Sequence, residues 1–264
     1  MGYRMSRTAP TVFLWAVMLL GLCLATAGQG AEDQGRGNPG ADKYALVYNG
    51  PVSAEDCPES AAAIAQEAGI KVKYVSDVAE LPRWLQDAEV FIIGGTGDDL
   101  LPLVQAFTPT VTQALKDYLN NGGRYLGICG GGFMASTGWD EDGKHIQALG
   151  IIPAGTSVYK DDYVPRVLPI TWLGKTRPMY FKAGPYFQMA KSPEPVEIIA
   201  NYGDGSVAAF MSAYGKGKIA VIGPHPEARE SWKDEAADGH NWVSTKDLAV
   251  DLLRDLLSGR KLKR

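Results

Sequence analysis

Cysteine is scarce in this chain, with 3 in 264 residues (Cys23, Cys57 and Cys129), so a disulfide scaffold is excluded and a packed core must carry stability. A basic excess is also missing: 26 Lys and Arg stand against 30 Asp and Glu, a formal charge of −4, which argues against nucleic-acid partners. The basic ending from Arg260 to Arg264 reads as a solvated tail rather than a binding patch. The apolar run over 12–25 is short of the ~20 residues that a membrane span needs. Asp98, Asp99, His145 and His240 lack the spacing of metal ligands, and neither a metal nor a cofactor is expected.

What is present suits one globular domain, at 45% apolar and 21% charged residues. Ahead of it stand Arg4 and Arg7, the apolar run, and Ala25-Thr26-Ala27, a small-x-small cleavage site; 1–27 therefore reads as a secretory signal peptide. The expectation is an exported protein, periplasmic or secreted, cleaved near Ala27 and with no stable membrane insertion afterwards; an uncleaved anchor is the alternative. Leu22, where a small residue usually precedes a lipid-bearing cysteine, argues against lipidation of Cys23. Cleavage removes two arginines, leaving 24 basic against 30 acidic residues and a charge of −6. Residues 28–43 read as a flexible lead-in, 44–258 as the domain and 259–264 as the tail.

Within the domain, apolar runs at 44–48, 71–75, 89–93, 124–128 and 218–222 read as strands, and 58–68, 81–86, 110–119 and 245–257 as helices. Strands buried on both faces and alternating with helices predict an α/β fold, a flavodoxin-like doubly wound parallel sheet. From 151 to 218 prolines and aromatics multiply, and alternating runs at 167–172, 196–202 and 207–213 predict an antiparallel β insertion before the last core strand, walling the site.

Ligands of such sheets sit beyond the carboxyl ends of the strands. One strand ends there in Gly127-Ile128-Cys129-Gly130-Gly131. Small residues on both sides of a cysteine suit a turn too sharp for bulky neighbours, which lifts the side chain clear of the backbone. A buried free cysteine or an anion-binding glycine turn would show the same local pattern. The last core strand delivers His225-Pro226-Glu227 to the same edge. A residue before proline is extended, so His225 and Glu227 point the same way. Histidine can then take the thiol proton while the carboxylate fixes the imidazole tautomer. Gly130 offers one backbone N–H to an oxyanion, and Gly94 or Gly95 in the facing loop another, with Gly95 the expected partner of Gly130.

In this order and on this fold, Ile93-Gly94-Gly95, the Cys129 motif and His225-Pro226-Glu227 resemble the class I glutamine amidotransferase superfamily. Val47 to Pro51, Tyr125 to Gly131 and Gly184-Pro185-Tyr186-Phe187 are most similar to the amidotransferase-like domain at the N-terminus of biotin-protein ligases, a likeness spanning about 44–257. The resemblance implies that Cys129 is a nucleophile, His225 its base and Glu227 the orienter. Glutamine-using members usually carry glutamine four residues after the cysteine, where this chain has Phe133.

Asn49, Gly94 and Tyr186 are further candidates for substrate contact. Cys57, near a helix start at the same edge, either lines the pocket, pairs reversibly with Cys129, or has no role. The function expected is hydrolysis or transfer of an amide-type acyl group through a thioester, on a small-molecule or peptide-like amide. The alternative is a non-catalytic small-molecule or partner-binding module. The sequence bears no mark of oligomeric state.

Overall fold

The computed structural model describes residues 43–262, so the expected signal peptide and most of the expected lead-in lie outside the described residues. The first half of the chain alternates strand and helix: β1 (Tyr44–Tyr48), α1 (Cys57–Glu67), β2 (Lys71–Val75), α2 (Leu81–Trp84), β3 (Ala88–Ile93), α3 (Leu101–Ala106), α4 (Pro109–Asn120), β4 (Arg124–Ile128) and α5 (Gly130–Ala135). Strands then follow one another: β5 (Gly138–Glu141), β6 (Lys144–Gln147), β7 (Ala154–Val158), β8 (Arg166–Trp172), β9 (Lys175–Phe181), β10 (Pro185–Met189), β11 (Val196–Asn201), β12 (Val207–Tyr214) and β13 (Gly217–Ile222). Helix α6 (Lys246–Leu257) closes the fold.

Strands β2-β1-β3-β4-β13 lie side by side and pair in parallel. This is the flavodoxin-like order, whose switch point falls between β1 and β3. Alternation along the strands feeds two cores. Ala45, Val47, Val90, Ile92 and Ile222 pack in a cluster with Ile64 of α1 and Leu253 of α6. Tyr44, Leu46, Phe91, Ile93 and Val221 pack in the other with Leu115 and Leu119 of α4. Edge strand β2 places Lys73 Nζ 3.9 Å above the Tyr44 ring, covering an apolar ring with a cation that stays wet.

The expected antiparallel insertion is present, but it extends the main sheet rather than forming a separate wall. β12 pairs with β13; β11, β8 and β9 continue outward in antiparallel order, and β10 and β7 branch from β12, giving an 11-stranded sheet. Strands β7, β9 and β10 and the β5–β6 hairpin had no clear sequence signal. Pro169 and Pro178 face each other across β8 and β9, Pro185 opens β10, and β7 holds Gly155, Thr156 and Ser157. Those residues depress a strand reading by propensity alone.

In the tail, Arg260 is exposed and ion-paired with Glu197 of β11 and Asp255 of α6, and its carbonyl accepts from Lys218 Nζ at 3.2 Å. Among the described residues, no helix is long and apolar enough to cross a membrane.

Candidate active site

Cys129 follows β4 with φ 52° and ψ −107°, a backbone conformation that side chains larger than glycine rarely adopt. It is held there from three directions. Its N–H donates to Ile222 O at 2.8 Å, its carbonyl accepts from Gly132 N at 2.8 Å, and the neighbouring Gly131 N donates to Gly94 O at 3.2 Å. The glycines are demanded by contact. A β-carbon on Gly131 would collide with Ile93 O, one on Gly130 with Thr96 Oγ1, and one on Gly127 with Gly131 O.

The loop after β13 brings up His225-Pro226-Glu227. His225 N donates to Tyr180 O at 2.8 Å, so the end of β9 clamps the histidine backbone, and Thr245 Oγ1 donates to Pro226 O at 3.1 Å. His225 Nδ1 lies 2.8 Å from Glu227 Oε1, and both side chains are buried, at 5% and 0% exposure. A buried carboxylate can only accept, which assigns the proton to Nδ1. The Cys129 sulfur lines the same cavity and acts electrostatically on the imidazole. Burial disfavours its charged form, but the Glu227 carboxylate and the Cys129 sulfur outweigh that, and the His225 pKa is pushed up to about 10. The Cys129 thiol lies 3.6 Å from Lys182 O.

Cys57 and Cys129 are both free thiols. Cys57, at the start of α1, lines the same cavity. Burial, then the charges of Glu227 and Cys129, push its thiol well above the ordinary range, so it stays protonated and a weak nucleophile. The Gly95 backbone acts on this sulfur in the opposite sense. Of the two expected oxyanion donors, Gly95 lies against Cys57, and a β-carbon on it would meet the Cys57 sulfur at 2.7 Å. Gly130, the first residue of α5, has no intrahelical acceptor for its N–H.

The cavity holds about 710 Å³ and is lined by Cys129, His225, Gly95, Gly130 and Cys57 among others. Three expected contacts are not part of it. Gly94 lies beneath the elbow and turns its carbonyl to Gly131 N. Asn49 is exposed at the end of β1 and donates its N–H to Val75 O at 2.8 Å; it is the later part of that loop, Ala54 to Cys57, that reaches the cavity. Tyr186 sits beside buried Phe187 on β10, so alternation sends it the other way, where its hydroxyl accepts from Gln188 Nε2 at 2.9 Å.

Five aromatic side chains supply walls that the sequence reading passed over: Phe133, Trp139, Tyr163, Tyr180 and Trp232. The Tyr180 and Trp232 rings pack edgewise or tilted on His225 and on each other, with centroids 5.3–5.8 Å apart. Phe133 meets Trp139 edge-on at 5.6 Å. Local periodicity does not reveal these positions, because they come from α5, β5, the loop between β7 and β8, β9 and the segment after β13.

The fold is similar to that of solved glutamine amidotransferases, and in this chain a cysteine elbow follows the fourth parallel strand in sequence and a histidine follows the last. More particularly, residues 44–148 match the family described as biotin-protein ligase, N terminal. A glutamine amidotransferase structure from Thermotoga maritima superposes with a TM-score of 0.52 at 13% identity, covering 82% of this chain and 95% of its own. Among sequence relatives, an uncharacterised protein of Chlamydia muridarum is 28% identical over 166 residues, 55% of this chain and 63% of its own length. The imidazole glycerol phosphate synthase subunit HisH of Syntrophotalea carbinolica is 27% identical over 158 residues, 58% of this chain and 76% of its own length. The chain thus spans under two thirds of the Chlamydia protein that it matches.

Proposed function

We propose that the protein is an exported cysteine-dependent amidase or acyl transferase that uses Cys129, His225 and Glu227 as a catalytic triad. The observation carrying this reading is the convergence, in one cavity, of a strained cysteine elbow with a histidine hydrogen-bonded to a fully buried carboxylate. Export rests on the basic, apolar and small-residue pattern of 1–27.

The steps follow from these positions. Cys129 sulfur attacks the amide carbonyl while His225 holds the thiol proton, and the tetrahedral oxyanion lies against the Gly130 N–H. The Gly95 N–H in the facing loop is the second donor. His225 then protonates the departing amine, the C–N bond breaks, and a thioester remains. Water, deprotonated by His225, attacks the thioester and returns the thiol with a free acid. Glu227 keeps Nδ1 protonated and balances the imidazolium throughout. Phe133, where glutamine-using members usually carry glutamine, leaves an apolar wall there, so substrates other than glutamine are expected.

One observation favours a second reading, that of a non-catalytic binding module: the Cys129 thiol donates to Lys182 O rather than to His225. The two readings are separated by incubating the purified chain with a panel of amino-acid p-nitroanilides, quenching in acid and mapping peptides by mass spectrometry. The enzyme reading expects an acyl adduct on Cys129 that is absent from Cys129→Ser. Binding of panel members without any adduct or p-nitroaniline release would leave the module.

A further inference from the structure

The charge around the cavity is far more one-sided than the chain. Acidic and basic residues number 30 and 26 overall, whereas the cavity lining holds seven carboxylates and one lysine, Lys182. Two of the seven have a partner: Asp56 with Arg229 at 3.0 Å, and Asp140 with His145 at 2.9 Å. The other five, Glu55, Asp98, Glu141, Asp161 and Glu235, form no ion pair among the described residues, and all five are exposed. They come from loops on all sides: after β1, after β3, in the β5–β6 hairpin, after β7 and after β13. Among the described residues no three His, Cys, Asp or Glu side chains are grouped to hold a metal ion. The rim is therefore a diffuse negative field rather than a chelate.

Below the rim the surroundings change. Phe133, Trp139, Tyr180 and Trp232 are buried around Cys129 and His225, giving an apolar and π-rich floor. An acidic mouth over aromatic walls excludes anionic substrates by repulsion and favours organic cations, whose charge is attracted by both carboxylates and ring faces.

We propose that the Cys129 cavity selects cationic substrates: amides whose acyl or amine part carries a protonated amino or guanidinium group on a hydrocarbon or aromatic stem. This rests on the reading of the cavity as an acyl-transfer site, and names the substrate class of that site. The carboxylates act by raising the local concentration of cations and by holding the charged end at the mouth while the carbonyl reaches the thiol.

The test uses three methanethiosulfonates of different charge: cationic trimethylammonioethyl, anionic sulfonatoethyl and neutral methyl. In each the thiolate attacks the sulfenyl sulfur, an S–S bond forms and methanesulfinate leaves, so the chemistry is the same and only the approach differs. Rates at Cys129 are followed by peptide mass spectrometry, which separates it from Cys57, and are divided by rates with 2-mercaptoethanol. At low salt the cationic-to-anionic ratio should exceed that of the reference by about tenfold or more. It should shrink several-fold at ~0.5 M salt, where screening shortens the field to a few ångströms. It should also fall about threefold or more in the double variant Asp161→Asn, Glu235→Gln. A ratio equal to that of 2-mercaptoethanol at low salt, or one indifferent to both salt and the double variant, overturns the proposal. The neutral reagent reports separately on thiol activation: slow reaction there counts against the enzyme reading, while the ratio still decides the charge selection.

Discussion

Replacing His225 with glutamine should slow acylation of Cys129 by p-nitrophenyl acetate by about 10²-fold or more, the lower range that a positioned acid-base group contributes. Removing the partner of buried Glu227 also lowers stability, but the chain should still fold. The bond that clamps this segment to β9 runs from His225 N to Tyr180 O and survives any side-chain change except proline. The variant should therefore keep its circular dichroism while the burst of p-nitrophenol nearly vanishes. A variant that acylates at the wild-type rate would show that the ring contributes nothing to Cys129. Both measurements use the same protein, so misfolding and lost chemistry are told apart.

The second large effect is on stability. Glu227 is fully buried, and its Oε1 is the partner of a buried imidazole at 2.8 Å. Glu227→Ala strands that imidazole without its counter-charge, a change that costs about 3–5 kcal/mol for buried pairs. For a domain of this size each kcal/mol moves the melting temperature by ~2–4 °C, so a fall of roughly 10 °C is expected by calorimetry. The pH dependence has a definite sign. Folding raises the His225 pKa from 6.5 to about 10, so the stabilisation is complete below about pH 6.5 and is lost as pH rises through the folded value. Between pH ~6 and ~10 the wild type should therefore lose stability relative to Glu227→Gln, whose neutral amide cannot sustain the raised pKa. Parallel stability curves for the two proteins would refute the ion pair.

How much of this was legible in the sequence follows the range of the interactions. Cys129 and its glycines form one local unit, since a sharp turn between a strand and a helix demands small residues within four positions. His225 and Glu227 were readable because Pro226 fixes their relative direction. The parallel core showed itself in runs such as Tyr44 to Tyr48, buried at every position. The walls did not. Tyr180, Trp139 and Trp232 meet at the cavity only through long-range pairing, and the strands that carry or neighbour them are interrupted by proline or short polar residues. Tyr186 shows the converse error. Its turn-like setting in Gly184-Pro185-Tyr186-Phe187 suggested a ligand contact, whereas the strand phase of β10 buries Phe187 and directs Tyr186 away. Asn49 failed for a related reason: the loop it opens does reach the cavity, but only from Ala54, five residues later.

The account turns on whether Cys129 is an activated nucleophile. The most direct measurement is its second-order rate of alkylation by iodoacetamide at neutral pH, read by peptide mass spectrometry beside Cys57 and against 2-mercaptoethanol. The arrangement with His225 and Glu227 predicts that Cys129 reacts about tenfold or more faster than the free thiol, while Cys57, held protonated by burial, lags behind it. A Cys129 that reacts no faster than 2-mercaptoethanol, or more slowly than Cys57, would contradict the account.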